Sequence, residues 1–93
     1  MSAFVCILRC QDDRYYYGST SDLVQRLAEH RAGRVRSTKP RLPVQLVYFE
    51  ACQTLGQARQ KEHALKNGRT RRKVIDQMIR SFPPERLAPF ACP

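Results

Sequence analysis

The 93-residue sequence contains no tryptophan, few acidic residues, and no apolar run close to the roughly 18–20 residues that a membrane-spanning helix needs. Its apolar N-terminus lacks a basic segment and a cleavage site, so we expect neither a signal peptide nor a membrane partner. Lys and Arg total 17 against 8 Asp and Glu, which gives a net charge of +9. An excess this large on a small domain favours a polyanionic partner such as nucleic acid.

The cysteines form no CxxC pair and have no histidines at zinc-ligand spacing. We favour small core residues in a reducing cytoplasm over disulfides or metal ligands. The four positions are Cys6, Cys10, Cys52 and Cys92.

The order of strand-forming and helix-forming segments is β-β-α-β-α-α. This order predicts an α/β protein of the α+β type, with a small three-stranded antiparallel sheet flanked by helices. A chain this short forms one core. We therefore expect a single domain at residues 1–82 and a loose, proline-rich C-terminal tail at 83–93. Strands are expected at 4–10, 14–18 and 44–50, and helices at 22–31, 54–66 and from Thr70 to just before Pro83.

Glu62 is the most informative single residue, because it falls on the apolar row of its helix with Leu55, Ala58 and Leu65. A carboxylate that points toward a sheet is costly unless it is paired or binds a metal ion. A carboxylate at the rim of the core, bridged to an arginine, is the alternative interpretation.

Three further side chains have both a structural and a chemical interpretation. Arg26 either pairs with Asp22 one turn earlier or binds a phosphate through its planar guanidinium. His30 is one turn further along the same stripe and is either a packed or surface histidine or a catalyst. Tyr16 lies on the opposite face of its strand from Tyr15 and Tyr17, and is either a core residue or part of a site.

The cations are concentrated in two segments. Residues 31–41 and 59–73 carry 12 of the 17 Lys and Arg residues and only one acid, Glu62. Cations that bind a nucleic-acid backbone, with a carboxylate that binds a metal ion, would suit phosphoryl-transfer chemistry. A charged surface without function is the alternative, although such a surface normally mixes both signs. The candidate nucleic-acid-binding residues are Arg34, Arg36, Lys39, Arg41, Lys66, Arg69, Arg71 and Arg72.

Residues 3–75 resemble GIY-YIG nuclease domains, especially the short single-domain bacterial members. The joint order and spacing of the motifs are specific. The matching segments are the first strand at 4–10, the tyrosine–any–glycine motif at 16–20, the D-L-x-x-R-L-x-x-H helix at 22–30, the loop and third strand at 37–39 and 43–51, and the glutamate helix at 62–66.

The resemblance implies a DNA endonuclease that hydrolyses phosphodiester bonds with Mg²⁺ or Mn²⁺, with branched or damaged DNA as candidate substrates. By the family pattern, Glu62 would bind the metal ion and Arg26 would stabilise charge on the phosphate. Tyr16 would hydrogen-bond within the site and help to orient the attacking water. By analogy, a domain this small would depend on a protein partner for targeting.

One position departs from the family pattern. The first-motif tyrosine, which is usually assigned to activating the nucleophile, falls at Cys6, and a thiol is too short to reach the same place. His30 is a hypothetical substitute base, so the candidate catalytic residues are Tyr16, Arg26, His30, Glu62 and Cys6. Two other functions stay open: a nucleic-acid-binding module that lost catalysis through Cys6, and a small interaction subunit whose charge serves solubility.

Overall fold

The computed structural model describes residues 2–68 and 71–90. It contains a three-stranded antiparallel sheet in the order β2-β1-β3, with helices on both faces, which confirms the predicted α+β fold and its element order. In the part of the chain described, no helix is long and apolar enough to cross a membrane. The elements are β1 (Ala3–Arg9), β2 (Tyr15–Thr20), α1 (Leu23–Arg31), β3 (Gln45–Cys52), α2 (Leu55–Lys66), α3 (Arg72–Ser81) and α4 (Pro84–Leu87).

The central strand β1 is buried on both faces, which is why its sequence is a continuous apolar run. Because side chains alternate along a strand, β1 contributes to two separate cores. Val5 and Ile7 pack in the core formed with α2 and α3, whereas Cys6 and Leu8 pack in the core formed with α1. The sheet therefore separates two helical layers.

The helix ends follow the local sequence signals. Asp22 Oδ1 accepts a hydrogen bond from the Gln25 backbone N–H, and the Thr54 hydroxyl caps α2 in the same way. Gly33, with φ 75°, lies just beyond α1, where a left-handed residue favours glycine. Thr70, where the third helix was expected to start, lies outside the described residues.

The prediction of a loose tail is wrong for residues 84–90. Pro84–Leu87 form α4, and a single 3-10 turn follows at Ala88–Phe90. The Phe90 ring packs edge-on against Phe49 of β3, with 5.3 Å between centroids, and Leu87 joins the same core. The apolar side chains anchor the segment although its prolines suggested a loop. Residues 91–93, and with them Cys92, lie outside the described part of the chain.

Candidate functional site

The candidate site is built around the pairing of β1 with β2. Cys6 of β1 lies directly opposite Gly18 of β2. Tyr16 lies on the same face as both, and Tyr15 and Tyr17 lie on the other face, as the alternation predicts. A Cβ at Gly18 would lie 3.1 Å from Tyr16 Cε1 and 3.6 Å from Cys6 Sγ. Only glycine leaves the Tyr16 ring its present position.

Helix α1 brings Arg26 to the hydroxyl group of Tyr16. Arg26 Nη2 donates to the Tyr16 oxygen at 3.4 Å, and Nη1 lies 3.7 Å from Glu29 Oε1. Of the two interpretations of Arg26, pairing with Asp22 is not observed; the Asp22 carboxylate caps the helix instead. The Arg26 side chain is 35% exposed, so its guanidinium can still reach a phosphate.

Helix α2 brings Glu62 to the same edge strand from the opposite face of the sheet. The Ser19 hydroxyl donates to Glu62 Oε1 at 2.7 Å, and Ser19 is the neighbour of Gly18. Among the described residues no cation lies within ion-pair distance of Glu62, so the arginine-bridged alternative is not observed there. The adjacent Lys61 pairs with Glu50 of β3 instead, with 2.9 Å between charged atoms. One oxygen of the Glu62 carboxylate is thus oriented by the strand that carries Tyr16.

Cys6 is buried between these groups. Burial raises the pKa of its thiol to about 11, Arg26 opposes that rise, and the charge of Glu62 adds to it. Cys6 lies on the strand next to β2, which Arg26 and Glu62 contact through Tyr16 and Ser19. The thiol is protonated at neutral pH, so it cannot take a proton from water as a general base.

His30 is completely enclosed. Its Nδ1 is hydrogen-bonded to Thr38 Oγ1 at 2.8 Å, and its ring meets the Tyr16 ring edge-on, with 4.8 Å between centroids. Burial, together with the charge of Arg26, lowers the pKa of His30 to about 4. The structure therefore places His30 behind Tyr16 as a neutral, packed histidine.

The predicted basic residues fall into several places. Arg34, Arg36 and Lys39 line one open cavity of about 560 Å³. Arg41 instead donates through Nε and Nη2 to the Ser37 carbonyl, at 3.1 and 2.8 Å, and so supports the loop itself.

The remaining candidate cations lie at the end of α2 and near α3, and one of them, Arg72, is paired with an acid. Arg72 pairs with Asp76 at 3.1 Å and lies over the Tyr15 ring, with 4.2 Å to its centroid. Lys66 and Arg71 are exposed, at the end of α2 and before α3. Arg69 lies outside the described residues.

Two residues that contact the predicted set, Ser19 and Thr38, were not predicted from the sequence. Strand alternation carries a signal for Ser19, since it places this residue on the face that α2 covers. Thr38 lies in a loop with no periodicity, so no local pattern predicts its burial or its contact with His30.

Comparison with known proteins matches residues 2–74 to the family model described as the GIY-YIG catalytic domain. A UPF0213 protein of Listeria monocytogenes serotype 4b is 44% identical over 64 residues, which cover 68% of this chain and 72% of that protein. A UPF0213 protein of Haloquadratum walsbyi is 42% identical over 65 residues, covering 69% and 73%. The solution NMR structure of the UPF0213 protein BH0048 from Bacillus halodurans has a TM-score of 0.52 and 30% identity, and the match covers 85% of this chain and 83% of that one.

Proposed function

This chain belongs to the GIY-YIG family, and from that premise we propose that it is a metal-dependent endonuclease that hydrolyses DNA phosphodiester bonds. The observation that carries the proposal is the convergence of Arg26 and Glu62 on one edge strand. Arg26 contacts Tyr16 from one face of the sheet, and Glu62 contacts Ser19 from the other. A cation bonded to a phenol, and a carboxylate held by the same strand, are groups that phosphodiester hydrolysis can use.

Arg26 would stabilise the charge that develops on the phosphate. Its planar guanidinium can bind two phosphate oxygens at once, and it already points toward the Tyr16 hydroxyl. Since Tyr16 accepts a hydrogen bond from Arg26, its own hydroxyl proton is free to bond to a water molecule or a phosphate oxygen. Tyr16 would thereby orient the attacking water relative to the phosphate that Arg26 binds.

Glu62 is the residue that would hold a Mg²⁺ or Mn²⁺ ion. In the described part of the chain there is no cluster of three or more His, Cys, Asp or Glu side chains. A single carboxylate is a donor set that fits Mg²⁺, because this ion keeps several waters and is commonly bound by one or two carboxylates together with substrate phosphates. Ser19 occupies Oε1 of the carboxylate, which fixes the direction in which Oε2 points. When bound, the metal ion would polarise a phosphoryl oxygen.

The positive charge of the protein supports DNA as the substrate. A net charge of +9 and the cavity lined by Arg34, Arg36 and Lys39 would bind a phosphate backbone without reading base sequence. We propose branched or damaged DNA as the preferred form, and a protein partner for targeting.

The buried Cys6 favours a second candidate function. Its thiol takes the place of the family's first-motif tyrosine and is protonated at neutral pH, because burial raises its pKa to about 11. Without that phenol the domain would bind nucleic acid but not cleave it.

A cleavage assay separates the two functions. Labelled duplex, flap and four-way-junction DNA would be incubated with Mg²⁺, Mn²⁺ or EDTA, using wild type, Glu62→Ala and Cys6→Tyr. Glu85→Ala is the matched control, since Glu85 is an exposed acid of α4. We expect metal-dependent cleavage that is lost in Glu62→Ala and retained in Glu85→Ala.

The opposite results have defined meanings. DNA binding that EDTA does not change, with cleavage only in Cys6→Tyr, would establish the binding module. Absence of DNA binding at low salt would reject both functions and leave the small interaction subunit.

A further inference from the structure

The two completely buried polar side chains among the described residues are His30 and Thr38, and they are bonded to each other. A buried polar group costs free energy unless it is hydrogen-bonded, and this bond is the one that the Nδ1 atom of the enclosed His30 makes. The two residues belong to different segments. His30 lies in α1, and Thr38 lies in the basic loop, which we define as residues 33–41.

Thr38 also organises the basic loop internally. Its Oγ1 lies 3.4 Å from the Val35 carbonyl oxygen, and its backbone N–H donates to the same carbonyl at 3.1 Å. Val35 is itself buried. The loop is therefore a closed turn attached to α1 at its centre, with Arg34, Arg36 and Lys39 left exposed around the open cavity.

His30 connects this attachment to the candidate site. Its ring meets the Tyr16 ring edge-on, and the Tyr16 hydroxyl accepts from Arg26. A continuous series of contacts thus joins Thr38, His30, Tyr16 and Arg26. Because the ring is neutral at physiological pH, the bond to Thr38 does not change with protonation near neutrality.

We propose that the His30–Thr38 hydrogen bond is a positioning device that holds the basic loop as a second phosphate-binding site, at a fixed place relative to Tyr16 and Arg26. The ligand would be a nucleic-acid backbone phosphate at some distance from the one that Arg26 binds. The fixed relation to the cleavage site rests on the proposed function, whereas phosphate binding by the loop does not.

A double-mutant cycle in DNA binding tests the proposal. Affinity for a labelled duplex would be measured by fluorescence anisotropy over a series of salt concentrations, in EDTA, for wild type, Thr38→Val, Arg36→Gln and the double variant. Thr38→Ser keeps the hydroxyl and should rescue binding. Ser37→Ala removes an exposed hydroxyl from the same loop and is the matched control.

In the wild-type background, Arg36→Gln should weaken binding and reduce the log–log salt slope by about one. In the Thr38→Val background, Arg36→Gln should reduce the salt slope by much less, because the loop no longer holds its cations in position to bind one phosphate. An equal loss in both backgrounds would overturn the proposal, since an effect on stability alone leaves the two changes additive.

Wild-type protein gives a second test if Thr38→Val does not fold. Titration with a short DNA duplex, followed by NMR, should produce saturable shifts of the Gly33, Arg36 and Lys39 amides, and unchanged amides would also overturn the proposal. Both binding measurements are made in EDTA and do not depend on cleavage. A wild-type protein that binds DNA through the loop but does not cleave it would therefore reject the nuclease and still support the phosphate-binding loop.

Discussion

Replacing Gly18 with alanine should displace Tyr16 while leaving the fold intact. The added methyl group would lie 3.6 Å from Cys6 Sγ, an ordinary contact, but 3.1 Å from Tyr16 Cε1. That distance is several tenths of an ångström below the optimum of about 3.5–4.0 Å for two carbon atoms. The Tyr16 ring must move, and it packs against His30 with 4.8 Å between centroids.

The cost in stability should be small because two terms oppose each other. Overpacking of a core costs about 1–3 kcal/mol, whereas alanine in a strand is favoured over glycine by about 0.5–1 kcal/mol. The net loss is then about 1 kcal/mol, which lowers Tm by about 4–8 °C in a domain of this size.

The effect of Gly18→Ala on the cleavage rate should be larger than its effect on stability. The Arg26–Tyr16 hydrogen bond is 3.4 Å long, so a shift of a few tenths of an ångström breaks it. A hydrogen bond to a charged group contributes about 1.5–3 kcal/mol, and we take the lower end because this bond is long. The cleavage rate should fall about tenfold.

Single-turnover cleavage of DNA by wild type, Gly18→Ala, Tyr16→Phe and the double variant measures this effect. If Gly18 acts through the Tyr16 hydroxyl, the alanine adds little once that hydroxyl is gone. Gly56→Ala is the matched control, because a Cβ there meets only Thr54 Oγ1, at an ordinary 3.8 Å. A wild-type rate for Gly18→Ala, or additive losses in the double variant, would refute the reasoning.

Three further predictions follow from single contacts. Ser19→Ala removes the hydrogen bond to Glu62 and should raise the Mg²⁺ concentration for half-maximal cleavage about tenfold; an unchanged metal titration contradicts it. The pKa of His30 is about 4 when folded and 6.5 in its ordinary state, so the unfolded chain binds the proton first as the pH falls. A contribution on the order of 3 kcal/mol to the free energy of unfolding should be present above pH 6.5 and lost as the pH falls toward 4. Urea unfolding at several pH values measures it. The pH-dependent loss should be absent in His30→Gln and retained in His63→Gln, since His63 is exposed. Phe90→Ala should cost more than about 1 kcal/mol in thermal unfolding, because the edge-on ring contact and buried apolar area are lost together, and should leave DNA binding unchanged.

The parts of the fold that local chemistry decides could be predicted from the sequence. The helices expected to start at 22 and 54 are capped by Asp22 and Thr54, whose side-chain oxygens each accept from the N–H three residues later. The helix row of Ala58, Glu62 and Leu65 also faces the sheet as its spacing indicates, with Ala58 and Leu65 buried and Glu62 half-buried. These signals need no knowledge of distant partners.

The parts that depend on partners far along the chain could not be predicted. Buried Thr38 is hydrogen-bonded to a histidine eight residues earlier, and Phe90 packs against Phe49, which lies 41 residues earlier in the chain. The sequence around each is a loop or a proline-rich segment. In both places tertiary contacts determine the structure, and local propensity gives no indication of them.

The register of one edge strand explains why the candidate site draws on both faces of the sheet. Gly18 lies opposite Cys6 on the α1 face, and Ser19 lies opposite Val5 on the α2 face. A slip of one residue would exchange the two faces of β2. The serine would then face α1 and lose Glu62, and Gly18 would no longer leave room for Tyr16.

The apolar run of β1 alone does not prevent such a slip, because its residues are buried on both faces. The tyrosines do, since Tyr15 and Tyr17 pack against the α2 and α3 core while Tyr16 packs against His30. The tyrosine triplet therefore holds the register that brings Arg26 and Glu62 to the same strand.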